Sequence, residues 1–381
     1  MPVLRGTRLF DGLSMSSGPD AWVRFDGGTI TETGTTPAPG DAVDLGDVTI
    51  LPGLIDAHVH LAFDASDDPV GRLSQVDDDE LLESMKAAAR RALRAGITVV
   101  RDLGDRSYLA VRLKGVLPDG PEILAAGPPI TVTRGHCWYL GGEADGVEGV
   151  RAAVRAHAER GVDVIKVMAT GGELTAGTHG ANPSYGLPEL RAAVEEARAA
   201  GLPITGHAHG TEGIRRLAAA GFDMVEHCTF MTADGGAESD DDVIAALLDA
   251  GMVVSGTLGV VSEPGPRAAE LYPQVVEVFR RLRAAGVPIV CSSDAGINAN
   301  KPHDLLPYSA QMMVELNGFP ELEVLRAITS LPADACRIGD RKGRIAPGYD
   351  ADLLVVAGDP GADIRALREV VAVYQAGRPV G

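Results

Sequence analysis

Six times along the chain a helix-like run ends in glycine and passes at once into a short apolar run: RRALRAG-ITVV, HAERG-VDVIKV, ARAAG-LPIT, LAAAG-FDMV, LLDAG-MVVS and LRAAG-VPIV. Gly96, Gly161, Gly201, Gly221, Gly251 and Gly286 stand where a helix needs a left-handed residue to stop it. The apolar runs have the length and continuity of parallel strands buried on both faces. ILPGLIDAHVHL before the first unit and PEILAAGPPIT between Gly96 and Gly161 bring the strands to eight, near residues 50–61, 97–103, 121–131, 163–170, 203–209, 224–230, 253–259 and 288–295. Eight αβ units over this length predict an α/β fold, a closed (β/α)8 TIM barrel. An open doubly wound sheet is the competing arrangement, but no G-x-G-x-x-G turn opens any of the helices.

The two ends follow a different rhythm. Residues 1–49 and 343–381 alternate short β-prone runs with Gly, Pro and Asp turns, as in AWVRFDGGTI and GRIAPGYDADLLVVAGD. Neither end is large enough for a stable sheet alone, so together they are expected to form one small β-sandwich domain, leaving 50–342 to the barrel. The acidic stretch 64–80 reads as a solvated face or a mobile loop after the first strand.

Composition narrows the class of partner. With 53 acidic against 34 basic residues and a formal charge of −19, the surface is unsuited to nucleic acid or anionic membranes, which leaves a small-molecule substrate; a homo-oligomer is compatible with the pattern. The opening MPVLRGTRLFDG has no apolar core of a signal peptide and no run is long enough to span a bilayer, so a cytoplasmic location is expected. Cys137, Cys228, Cys291 and Cys336 form no CxxC pair and read as reduced, partly buried thiols.

The chemistry lies at the predicted strand ends, where a parallel barrel carries its reactive groups. His58 and His60 close the first strand at i and i+2, which points both to one side. Lys166 lies in the fourth strand, His207 ends the fifth, His227 the sixth and Asp294 the eighth. Any one of these histidines could be a satisfied core residue. Four of them with an Asp and a Lys on one face point instead to a metal site, and the absence of thiolate ligands suits a catalytic one.

With these residues in place, the chain resembles the amidohydrolase superfamily. VIKVMATGG, HAHG and VEHCTF are similar to its imidazolonepropionase-related branch, which contains metal-dependent dipeptidases and carboxypeptidases. The resemblance extends from LPGLIDAHVHL to GRIAPGYDADLLVV. It implies a carboxylated Lys166 bridging two divalent ions, taken as zinc, with His58 and His60 on one and His207 and His227 on the other. It also implies hydrolysis of an amide bond, in a dipeptide or N-acyl amino acid, by a metal-activated hydroxide, with Asp294 as ligand and general acid/base. A lysine in the apolar run VIKVM agrees, since an unpaired ammonium is costly to bury.

Around this centre, His136, Arg134 and Tyr139 on the segment after the third strand are candidate substrate contacts, and His209 is a pocket residue or an alternative ligand to His207. His179 and Tyr185, on a glycine-rich segment (170–186) long enough for a lid, are weaker candidates, and Arg101 either braces the barrel or touches substrate. Competing functions on the same site are a mononuclear deaminase or cyclic-amide (imidazolone-type) hydrolase, disfavoured by Lys166, and a lactonase or phosphotriesterase-like activity. A scaffold that has lost its chemistry is disfavoured because no expected ligand is missing.

Overall fold

The computed structural model describes residues 1–262 and 266–381. Eight parallel strands form the barrel: β1 (Leu54–Val59), β2 (Ile97–Asp102), β3 (Glu122–Ala125), β4 (Ile165–Met168), β5 (Ile204–Gly210), β6 (Met224–Met231), β7 (Val253–Gly256) and β8 (Ile289–Cys291). Strands β1 to β3 pair in one run and β4 to β8 in another. Both seams are closed by isolated bridges, Val59 with Ala295 and Ile130 with Val167. The first seam carries the Asp294 N–H donating to His58 O at 2.8 Å and the His60 N–H donating to Ala295 O at 2.9 Å. At the second, the Ile130 N–H donates to Lys166 O at 2.8 Å. The six unit-ending glycines all take positive φ, between 63° and 87°. Gly96 has a second reason to lack a side chain, since a Cβ there would stand 2.7 Å from Leu354 of the terminal sheet.

The terminal segments pair into one eight-stranded sheet, the small β-sandwich beside the barrel. Leu353–Ala357 from the C-terminal end runs antiparallel to Val48–Pro52 from the N-terminal one, with Leu354 opposite Leu51. The sheet encloses its own apolar cluster, including Leu4, Val23, Phe25, Ile30, Ile50, Leu353 and Val355. The continuous strand expected over 50–61 is broken at Gly53. Residues before it belong to the terminal sheet, those after it to β1, and at the break the Gly53 N–H donates to Asp352 O at 2.8 Å. Close by, the buried Lys342 donates to Asp352 at 2.5 Å and also faces Asp350 and Glu122.

The acidic stretch after β1 is not an open loop. It contains the helix Pro69–Gln75 and the start of the helix Asp78–Arg94, and Asp68 and Asp77 accept hydrogen bonds from the first-turn amides of each. Asp78, Asp79 and Glu80 then fill the first turn of the second helix, where negative charge complements the helix dipole. Among the described residues no helix is long and apolar enough to cross a membrane.

Candidate metal centre

At the C-terminal end of the barrel two groups of side chains converge. In the first, His58 Nε2 lies 3.3 Å from His60 Nε2 and 3.4 Å from Asp294 Oδ1, and His60 Nε2 lies 3.3 Å from the same oxygen. Two imidazole nitrogens and a carboxylate oxygen so close, all buried, surround a point that suits a divalent cation. The second group is His207, His209 and His227, whose nearest ring nitrogens lie within 4.8 Å of one another. The groups adjoin, with the His58 and His227 ring centroids 5.0 Å apart.

Hydrogen bonds on the far sides of the rings fix which nitrogen faces inward. His58 Nδ1 is 2.8 Å from Glu226 Oε2, which as a carboxylate accepts its proton and leaves Nε2 free. His227 Nδ1 pairs with Thr257 Oγ1 and His209 Nδ1 with Thr229 Oγ1, each at 2.9 Å, so both present Nε2. His207 is turned the other way, its Nε2 donating to Gly171 O at 3.0 Å and its Nδ1 left for the site.

Glu226 is the residue that sequence reading missed. It is fully buried, accepts from Arg101 at 2.9 Å and Thr205 at 2.6 Å besides His58, and so ties β6 to β1, β2 and β5 under the site. Burial alone would raise its carboxyl, but His58 and Arg101 bring it well below the ordinary carboxylate range. Arg101, whose Nε donates to Ala57 O at 2.7 Å, is therefore a brace and not a substrate contact. Burial likewise works against the Asp294 carboxylate, and His58, His60 and Lys301 more than offset it.

Lys166 lines the same cavity from β4. It is 1% exposed, and its Nζ has no hydrogen-bonding partner among the described residues. Burial lowers its pKa to about 8, with Glu226 and Asp294 opposing. A buried amine without a partner is costly unless something satisfies it. The donor chemistry fits a divalent metal: an N,N,O triad and a histidine triad each offer three ligand atoms, with an unpartnered amine in the same cavity.

A cavity of about 290 Å³ opens over both groups. His58, His60, Lys166, His207, His209, His227 and Asp294 line it, as does His136, whose ring centroid is 4.7 Å from that of His207 and whose Nδ1 has no partner. Burial, with His209 and Lys166 nearby, lowers the His136 pKa to about 3, so it stays neutral. Arg134 and Tyr139 do not line the cavity. Arg134 is exposed, its backbone in the left-handed region at φ 55° and its N–H donating to Glu143, and the Tyr139 hydroxyl meets Cys137 Sγ at 3.7 Å. On the 170–186 segment the Tyr185 hydroxyl donates to Ala144 O and His179 accepts the Ala181 N–H, so neither faces the site, while Glu173 and Leu174 do. A larger groove, about 620 Å³, lies at the opposite end of the barrel, where its charged groups pair with one another, as Lys114 with Asp163 and Arg341 with Glu122.

Comparison with known proteins gives the family. Over 366 residues the chain is 27% identical to ochratoxinase from Aspergillus niger, covering 85% of this chain and 73% of that one. It is 25% identical to imidazolonepropionase from Salinispora tropica, covering 88% and 86%. The crystal structure of a Xaa-Pro dipeptidase with bound methionine in its active site superposes with a TM-score of 0.85 at 29% identity, over 99% of both chains. The amidohydrolase family pattern matches residues 49–380, which span the barrel and the C-terminal part of the sheet, and the chain belongs to that family.

Proposed function

We propose that the protein is a binuclear metal-dependent hydrolase that cleaves the amide bond of a dipeptide or an N-acyl amino acid. The observation that carries this is Lys166: a fully buried amine without a partner, beside two triads of ligand type. In this reading the neutral amine would add CO2, releasing a proton, and the resulting carbamate would offer anionic oxygen ligands to the metal, zinc being an ion that these donors suit. His58, His60 and Asp294 would hold the first ion. The more deeply buried pair of the second triad, His207 and His227, holds the other. His209 is partly exposed to the cavity and faces substrate. Two such ions would acidify a water molecule and polarise the scissile carbonyl.

The chain's own groups complete the chemistry. Asp294 keeps one carboxylate oxygen toward His58 and His60, and its low pKa keeps it ionised to accept the proton of the attacking water, which it passes to the departing nitrogen. His136 is neutral and buried, and donates a hydrogen bond to the substrate carbonyl from its place beside the His207 ring. Support for amide chemistry comes from the names of the relatives, ochratoxinase and a Xaa-Pro dipeptidase. The test is a metal count together with a substrate screen of dipeptides, N-acyl amino acids, lactones and aryl esters. About two ions per chain and turnover of the amides is the expected result; about one ion, or turnover of lactones or esters alone, overturns the proposal.

A further inference from the structure

Lys301 is a second buried lysine in the same cavity, and the metal centre does not use it. It lies on the segment after β8, is 8% exposed and lines the cavity with Asp294, Thr257 and Ile297. Its Nζ donates to Thr257 O at 2.7 Å and to Ser293 O at 2.8 Å. An ammonium has three hydrogens. No third acceptor and no ion-pair partner for it lies within bonding distance among the described residues, although Asp294 and Asp56 are near enough to favour its charged form against burial. Two backbone carbonyls thus fix this cation in place with one N–H unspent.

The other charges of the cavity are already assigned or point the wrong way. Lys166 and Asp294 belong to the metal centre, Glu173 is acidic, and no arginine lines the cavity among the described residues. Apart from the metal ions of the reading above, an anionic substrate group therefore meets one available cationic side chain among the described residues. Beside it the wall is apolar: Leu258, Val260, Leu271, Val275 and Ile297 line the same space. A fixed ammonium next to an apolar wall is complementary to an amino acid residue with an aliphatic side chain and a free α-carboxylate.

We propose that Lys301 is the substrate-binding residue that receives the free carboxylate of the substrate's C-terminal aliphatic residue, while that side chain packs on the Leu258, Leu271 and Ile297 wall. This rests on the amide-hydrolase reading above and names its specificity. Arg134, the sequence candidate for this task, lies outside the cavity.

The test compares N-acetyl-L-leucine with its methyl ester, which differ only in the charge Lys301 would meet. For the metal-loaded wild type, calorimetry should show the acid binding at least tenfold more tightly than the ester, and release of the amine should show the same preference in KM. Lys301→Met should abolish that preference by weakening the acid alone, and Lys301→Arg should restore part of it. Metal content and thermal midpoint are recorded for each variant. Equal affinity of the wild type for acid and ester overturns the inference, and so does an equal loss for both ligands in Lys301→Met, which would make the lysine a clasp between β7 and β8 and nothing more. Should Lys301→Met fail to fold, the wild-type comparison and Lys301→Arg still decide. Should the acid bind with this preference yet not be cleaved, the carboxylate site stands and the amide-hydrolase reading fails.

Discussion

Glu226→Gln isolates what an uncharged residue of the same shape does beneath the metal centre. Glu226 is fully buried and serves three donors at once: His58 at 2.8 Å, Arg101 at 2.9 Å and Thr205 at 2.6 Å. A glutamine has one carbonyl oxygen for these donors and turns an NH2 group toward one of them. Arg101 is then a buried guanidinium without its carboxylate, and breaking such a pair costs about 3–5 kcal/mol. His58 loses the acceptor that fixes its tautomer, and losses of this kind lower metal affinity by about 10–100-fold, or ~1.4–2.7 kcal/mol. Urea unfolding of the metal-free protein should register the first effect, and competition with a chelator at defined free zinc the second. The double variant Glu226→Gln with Arg101→Met leaves no unpaired buried charge, so it should be more stable than Glu226→Gln alone while its zinc affinity stays low. If Glu226→Gln retains stability to within about 1 kcal/mol, or if the two substitutions prove additive, the carboxylate is not the electrostatic keystone described here.

Four further outcomes follow from the geometry. Asp294→Asn should retain at least one metal ion yet lose about 10²–10⁴-fold in kcat, and near-normal turnover would refute its role as proton acceptor. His207→Asn should release metal from the second position while His209→Asn should keep it and raise KM; metal analysis with the reverse result would exchange their assignments. Gly172→Ala would place a Cβ 2.5 Å from the His136 ring, so turnover should fall to the level of His136→Ala with metal content unchanged, and full activity would show that His136 is not needed where it stands. Finally, burial lowers the pKa of His58 and His209 to about 4 and of His136 to about 3, so between those values and 6.5 the unfolded chain binds protons that the folded chain does not. Stability of the metal-free protein should therefore fall as pH drops through this window, each of these imidazoles and the likewise lowered His207, His227 and His303 contributing up to ~1.4 kcal/mol per pH unit, while Asp56, raised by burial to about 7, and the buried Asp102, Asp105 and Asp352, also raised, work in the opposite direction. A flat profile from pH 6.5 to 4.5 would contradict the burial of these rings.

The barrel was legible because one signal was repeated. Each glycine that ends a helix is followed by a strand buried on both faces, and helix stop and strand start are encoded side by side, within ten residues of each other. The break at Gly53 was not legible, because the apolar run ILPGLIDAHVHL is continuous while its two halves serve different sheets. The acidic stretch 64–80 is the solvated face expected of it, but the helices that begin in it were not legible, for a related reason. Composition sees a run of carboxylates, whereas Asp68 and Asp77 act as individual helix caps whose effect depends on which amide each one meets.

The site divides along the same line. Residue types at strand ends pointed to six side chains that the fold does bring together, because in a parallel barrel position along a strand determines which end of the barrel a residue reaches. What position along the strand does not determine is the turn of the backbone where a strand gives way to its loop. Regular alternation sends Glu226 and His227 to opposite faces, yet both reach the site, Glu226 from inside the barrel and His227 from a left-handed residue at φ 69°. Asp294 is in the same region at φ 59°. For residues with a Cβ such backbone costs on the order of 1–3 kcal/mol and persists only where surrounding contacts impose it. Here those contacts are visible: Thr257 holds the His227 ring, and Lys301 grips Thr257 O and Ser293 O, the carbonyls beside the two turned ligands. The groups that a pattern of ligands leaves out, Glu226 behind His58 and Thr257 behind His227, are thus the ones that give the ligands their aim.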